Sequence, residues 1–283
     1  MAANPKPAVP PSQDYQTLRA ERLTPTIGAI ISGVDLTKPL SSAQLDDVNR
    51  ALADHQVIFF RDQHLDPPSL KRVGQYFGEL QIHALQGLPD HPEVRKLQAD
   101  ANSKHVAGEE WHTDMSCATI PPMGSILYLH TLPTMGGDTV FASMYAAYDA
   151  LSDRMKAYLE GLTATHDGKL AFGRFNPDGK FPIAVHPVIR THPVTGRKVL
   201  FVNKGFTARI NEVPPAESDA MLQFLFHHCE NAYFQVRFRW EPHSVAFWDN
   251  RCTQHLAIWD YYPQLRSGFR VQIADKGGPK ESA

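Results

Sequence analysis

Residues 234–255 read FQVRFRWEPHSVAFWDNRCTQH. Two runs inside this stretch, Phe234–Trp240 and Val245–Trp248, are dense in aromatic and β-branched side chains. Such side chains suit a pleated, half-buried surface, so both runs predict strands. Further runs of the same kind are Val57–Phe60, Ser125–His130, Val185–Thr191, Val199–Asn203 and Phe269–Ile273. Most of the chain after Glu110 therefore reads as strand and turn, interrupted by helix and by a polar, Gly-rich insertion around Asp167–Pro182.

Four segments have helical spacing. Ser41 or Ser42 is placed to cap a helix running to about His55, with Leu45, Val48 and Leu52 on one face. Pro67 and Pro68 open a second through Phe77. Met155, Leu159 and Leu162 suggest a third, and Pro215–Cys229 a fourth with Met221, Leu222, Leu225 and Phe226 buried. Strands and helices do not alternate regularly, which argues against a parallel α/β fold. The expected class is mainly β with flanking helices: a β-sandwich or a double-stranded β-helix (jelly roll) core with helices packed on one face.

The chain has 283 residues, 42% of them apolar, enough for one sizeable core. A formal charge of -2 gives no electrostatic case for nucleic acid or an anionic membrane surface. Cys117, Cys229 and Cys252 are odd in number and widely spaced, the pattern of reduced, buried thiols. No apolar stretch is long enough to cross a bilayer. The start, MAANPKPAVPPSQ, lacks the apolar region of a signal peptide and reads as a flexible Pro-rich tail over residues 1–14. Residues 15–283 are expected to form one domain in a cytoplasmic protein, with a substrate lid around 167–182.

Trp111-His112-Thr113-Asp114 sets a His and an Asp two apart. On an extended segment residues i and i+2 point to the same side, so both can reach one metal ion. Alone, a His-x-Asp triplet is nearly worthless as a signal in a chain with 14 histidines. His64-Leu65-Asp66 is a second such triplet and His91-Pro92-Glu93 is similar. Pro67 and Pro68 make the first a helix entry, and the second is expected in a polar turn. A second patch raises His112 and Asp114 above both. It contains His255, followed by Arg266 and Arg270, four apart and able to share one face of a strand. Two histidines and one carboxylate leave open positions on an octahedral ion, as Fe(II) oxygen activation requires. A five-carbon diacid can chelate such an iron at one end and needs a cation at the other. A guanidinium clamps a carboxylate with two parallel hydrogen bonds. Taken singly, His255 also reads as a satisfied core histidine and the arginines as surface residues.

The chain resembles the taurine dioxygenase family of 2-oxoglutarate-dependent enzymes, which includes alkylsulfatases and aryloxyalkanoate dioxygenases. The likeness runs from about Leu23 to Lys276. It is carried by Ile27-Gly28-Ala29, Ser32-Gly33-Val34-Asp35-Leu36, Val57–Gln63, Phe77-Gly78-Glu79-Leu80, Trp111–Asp114, Gly136-Gly137-Asp138-Thr139, His186-Pro187-Val188, Thr191-His192-Pro193 and Trp248-Asp249-Asn250-Arg251. The resemblance implies His112, Asp114 and His255 as ligands of Fe(II). It implies Thr139 and Arg266 as partners of the far carboxylate of 2-oxoglutarate, the co-substrate. It also implies His83 and Arg270 as contacts of a substrate sulfonate, and Phe206 as a pocket wall. Gln86 and Gly108 stand where the taurine enzyme has a tyrosine and an asparagine facing the substrate ammonium. Gly108 offers no side chain, and a buried ammonium without partners is costly. Taurine itself is therefore not the expected substrate.

The implied reaction hydroxylates a small anionic organic substrate with O2, releasing succinate and CO2. Asp114 occupies the position that a halide would need, which disfavours halogenation. The family further implies a homo-oligomer, dimer or tetramer. Alternative substrates are aryloxyalkanoates or alkyl sulfates. Two other classes are a non-catalytic jelly-roll binding protein, whose usual mark is a lost metal ligand, and a metal hydrolase, which leaves Arg266 unexplained.

Overall fold

The computed structural model describes residues 14–82 and 87–276. The Pro-rich start and the expected substrate contacts His83 and Gln86 lie outside the described residues.

Eight strands form the large sheet, in the order Arg19–Arg22, Ala29–Ser32, Val57–Phe60, Ser244–Asp249, Gly124–Thr131, Arg266–Ile273, His91–Ala99 and Gly87–Leu88. Only the pair Ala29–Ser32 and Val57–Phe60 is parallel. Thr139–Ser143 is the centre of a three-stranded sheet, flanked by Gln235–Phe238 and Thr253–Ala257. A second three-stranded sheet joins Thr207–Ile210, Thr163–Asp167 and Ile183–Pro187. The fold is mainly β with a jelly-roll core, as the sequence leads one to expect.

The cores follow from side-chain alternation. All four residues of Val57–Phe60 are buried, because this strand is covered on both faces. Val57 and Phe59 face the inner core with Leu127, Phe141, Phe238 and Trp248. Ile58 and Phe60 face an outer core with Val48, Leu52, Leu70 and Val73 from the first two helices. A third core sets Val140 and Ala142 of the smaller sheet against Leu222 and Leu225 of the helix Pro215–Cys229. Helices therefore cover both sides of the β core, not one. The smaller sheet also has an apolar outer face, which water cannot be left to cover.

The helix Ser42–His55 starts in a capping box formed by Ser41 and Gln44. Pro67–Gln75 is capped by Asp66 through Ser69 N–H, which confirms His64-Leu65-Asp66 as a helix entry. Asp153–Leu159 stops before Leu162, ahead of the left-handed Gly161. The expected strand Val185–Thr191 is split into Ile183–Pro187 and Ile189–Thr191, which join different sheets. Pro187 has no N–H for a continuing ladder. The stretch from Phe234 opens as a 3₁₀ turn, Ala232–Phe234, before the strand Gln235–Phe238. The clearest correction concerns His91-Pro92-Glu93: it begins the nine-residue strand His91–Ala99 and is not a turn.

Candidate metal centre

His112 is not in a long strand. It makes one antiparallel bridge with His255. Asp114 follows, and Met115, in the left-handed region at φ 49°, turns the chain away. His255 sits in Thr253–Ala257, paired with Phe141 of the central smaller strand. The ligand atoms of His112, Asp114 and His255 lie within 4.8 Å of one another, and Nε2 of His112 is 3.6 Å from Oδ1 of Asp114.

Each group is oriented by its neighbours. Nδ1 of His112 lies 2.8 Å from the Glu110 carbonyl, which can only accept. Nδ1 therefore donates, leaving Nε2 with a free lone pair. Asn250 fixes the Asp114 backbone from both ends: its side-chain oxygen accepts from Asp114 N–H at 2.8 Å and its amide donates to Asp114 O at 2.9 Å. Oδ2 of Asp114 accepts from Ser125 Oγ at 2.7 Å, and Oδ1 from Arg270 Nη1 at 3.1 Å. Burial pushes the Asp114 carboxyl up, but Arg270 and the two imidazoles outweigh it and hold the group well below the usual carboxylate range. Burial, then the neighbouring His112, hold His255 well below the ordinary imidazole value. Nδ1 of His255 is buried without a hydrogen-bond partner among the described residues. A carboxylate and two imidazoles whose ring nitrogens converge on one point are the donor set a divalent transition metal takes.

Gly108 lies against the imidazole of His112. Its φ is +85°, and a Cβ there would come within 2.9 Å of His112 Cε1. Its carbonyl accepts from Ala257 N–H at 2.8 Å. The glycine is thus explained by close approach of backbone to the His112 ring.

Arg266 and Arg270 share one strand, as expected, and both are buried. Arg266 donates through Nε to Gly137 O at 3.0 Å, and its Nη2 lies 3.4 Å from Thr139 Oγ1. Trp240 Nε1 donates to the same hydroxyl at 3.0 Å. Gly136 and Gly137 both have positive φ, and that turn aims the Gly137 carbonyl at the guanidinium. Phe206 is buried between the rings of His112, at 6.4 Å, and Phe172, at 5.5 Å.

Around the expected lid, Gly168–Phe172 is a short helix. Arg174 pairs with Glu109, and the ring of Phe175 lies 5.6 Å from that of His105. These contacts tie residues 168–182 to the 105–109 segment beside the metal centre. Burial pushes the nearby Cys117 thiol up to about 12, so it is an inert filler.

His192, Asp249 and Cys252 are also clustered and buried. Arg251 grips both Asp249 oxygens, at 2.9 and 2.6 Å, and His192 Nε2 donates to Oδ2 at 3.0 Å. Nδ1 of His192 already accepts from Thr195 N–H at 3.2 Å. The lone pairs are used, so this cluster is a brace and not a second metal centre.

One residue of this region escaped the reading of the sequence. Arg95 lies directly across from Arg270 in the sheet. Burial, then the positive charge of Arg270, lower its pKa to about 10. Val94 and Leu97, three apart, break the period-two pattern that would have revealed its strand.

Comparison with known proteins places this arrangement. A protein of Saccharomyces cerevisiae, the alpha-ketoglutarate-dependent sulfonate dioxygenase, is 34% identical over 273 residues, covering 90% of this chain and 66% of its own length. The chain thus spans about two thirds of that relative. The alpha-ketoglutarate-dependent sulfate ester dioxygenase of Pseudomonas putida is 35% identical over 263 residues, covering 88% of this chain and 86% of its own. The crystal structure of a taurine dioxygenase from Burkholderia xenovorans superposes with a TM-score of 0.83 at 35% identity, over 93% of each chain. The profile of the family described as taurine catabolism dioxygenase TauD, TfdA family matches residues 19–272, and the chain belongs to that family.

Proposed function

We propose that this protein is an Fe(II)- and 2-oxoglutarate-dependent dioxygenase that hydroxylates a small, sulfonate-like organic anion other than taurine. The observation that carries this reading is the buried His112–Asp114–His255 cluster, with Arg270 of the strand Arg266–Ile273 in contact with Asp114 and Arg266 on the same strand. His112, Asp114 and His255 would hold the iron. With 2-oxoglutarate, the iron supplies the oxidising power: O2 is consumed, 2-oxoglutarate becomes succinate and CO2, and one oxygen atom enters the substrate.

The chain's own residues set the stage for that chemistry. Arg266 and Thr139 hold the far carboxylate of 2-oxoglutarate, and Trp240 keeps the threonine hydroxyl turned toward it. Arg270 and Ser125 keep Asp114 charged and in place. Phe206 and Phe172 form an apolar wall, and the lid at 167–182 closes over it. His83, Gln86 and the segment at Gly108 complete the substrate pocket. When the hydroxylated carbon bears a sulfonate or sulfate, the product collapses to a carbonyl compound and expels sulfite or sulfate.

Residues 15–283 act as a single domain behind the tail 1–14. Three buried free cysteines support a reducing, cytoplasmic setting. Among the described residues no helix is long and apolar enough to cross a membrane. The family resemblance supports a dimer or tetramer, which light scattering after size exclusion would measure.

The test is O2 uptake with Fe(II) and 2-oxoglutarate across alkyl sulfonates, alkyl sulfates, aryloxyalkanoates and taurine. Uptake with a sulfo anion and none with taurine is expected. A preference for aryloxyalkanoates would replace the substrate class. Turnover without O2 or 2-oxoglutarate would replace the reaction.

A further inference from the structure

Arg270 and Arg95 are register partners on adjacent antiparallel strands, with Gly268 opposite Leu97 and Arg266 opposite Ala99. Register partners point to the same face of a sheet, and like charges placed directly opposite each other are destabilising. The face is the inner one: Leu97, two residues from Arg95, packs against the inner core, and Arg270 reaches Asp114.

The local charges do not cancel. The Arg95 guanidinium feels Arg270 and Asp114, and no carboxylate of the described residues lies within ion-pair distance of it. Arg270 is 9% exposed, and its Nε is buried without a hydrogen-bond partner among the described residues. Residues 83–86 are His, Ala, Leu and Gln, so that neighbouring segment brings no acid. Asp114 pairs with Arg270 and acts on Arg95 only at longer range, and the iron would claim that carboxylate. Arg270 is buried and Arg95 half-buried, so water screens this excess positive charge only in part, and an anionic ligand relieves it.

Resting on the dioxygenase reading above, we infer that Arg95 is a second guanidinium of the substrate-anion site, and that the Arg95–Arg270 pair selects a tetrahedral sulfo head group over a carboxylate. A carboxylate is planar, and one guanidinium fork occupies both its oxygens in that plane. A second guanidinium is left with the outward-pointing lone pairs, one on each oxygen, and cannot fork onto both. A sulfonate or sulfate ester has three terminal oxygens directed around a cone. One arginine takes two of them and the other takes the third.

The experiment uses three anions with the same hexyl tail: hexanesulfonate, hexyl sulfate and heptanoate. Each is titrated calorimetrically, under argon, into the protein loaded with Fe(II) and 2-oxoglutarate. The wild type binds at least one sulfo anion about tenfold or more tightly than heptanoate. In Arg95→Gln that ratio falls to about threefold or less, through weaker sulfo binding. Arg95→Lys, which keeps the charge without the fork, falls between. The melting temperature of anion-free Arg95→Gln holds or rises, because a like-charge pair has been relieved. Equal binding of all three anions by the wild type overturns the inference. So does an unchanged ratio in Arg95→Gln, or an equal loss for every anion with a lowered melting temperature, the mark of a structural role. Succinate formation by the wild type tests the dioxygenase reading separately, because the binding ratio does not depend on turnover.

Discussion

His112 and His255 exchange both of their backbone hydrogen bonds, at 3.1 and 2.8 Å, and their rings lie 4.1 Å apart. One bridge therefore sets the spacing of two metal donors from distant parts of the chain, and Asp114 enters from the turn that follows. The centre is pre-built by backbone pairing, so metal binding need not order it.

This arrangement links metal to stability. Fe(II), or Mn(II) as an inert substitute, at a hundred times its Kd is expected to stabilise the protein by about 2.7 kcal/mol. Chelation reverses the gain. Asp114→Ala loses both the metal-dependent rise in melting temperature and substrate-dependent succinate formation. Full activity in that variant would remove Asp114 from the site.

Arg266→Ala strands the far carboxylate of 2-oxoglutarate in a buried position. A loss on the order of 3–5 kcal/mol weakens 2-oxoglutarate binding by roughly 10²-fold to several 10³-fold. Thr139→Val removes one neutral hydroxyl and costs less, about 1 kcal/mol, or several-fold. Calorimetric titration of 2-oxoglutarate into both variants measures the contrast, and equal losses would contradict the assigned roles.

Gly108→Ala puts a methyl group against the imidazole of His112 at a backbone conformation with φ +85°. The left-handed backbone alone costs an alanine roughly 1–2 kcal/mol. The variant is expected to melt earlier and to bind metal more weakly, because relief of the clash moves the ring. If Gly108 served substrate alone, metal affinity would stay at the wild-type value.

His166 and His186 are buried side by side, with ring centroids 5.3 Å apart. Burial above all, then nearby positive charge, depresses their pKa values to about 3 and about 4 from the ordinary 6.5. The unfolded chain therefore takes up protons before the folded one does. Their contribution is complete above about pH 6.5 and is lost as pH falls toward 4 for His186 and toward 3 for His166. Each imidazole should cost about 2 kcal/mol by pH 5. Urea midpoints at pH 7 and pH 5 measure this; buried His55, depressed to about 4, adds to the decline, so His186→Gln should remove only its own share, about 2 kcal/mol. A decline of undiminished size in that variant would place the acid sensitivity elsewhere.

Much was legible from local sequence. The capping serine and the Pro67-Pro68 entry announced two helices, since caps and proline act within one turn of chain. The aromatic and β-branched runs announced most central strands, since such side chains suit a surface buried on both faces. His112, Asp114 and His255 were readable because metal chemistry restricts which residues can stand there. The tertiary structure alone decided the rest. It split Val185–Thr191 between two sheets, placed helices on both sides of the core, and made His91-Pro92-Glu93, expected in a turn, the start of the strand His91–Ala99. It also explained Gly108 by the imidazole that fills the space a side chain would need. Above all, it set Arg95 opposite Arg270. Strand register is a long-range property, fixed by which apolar faces pack together, and no local run of residues carries it.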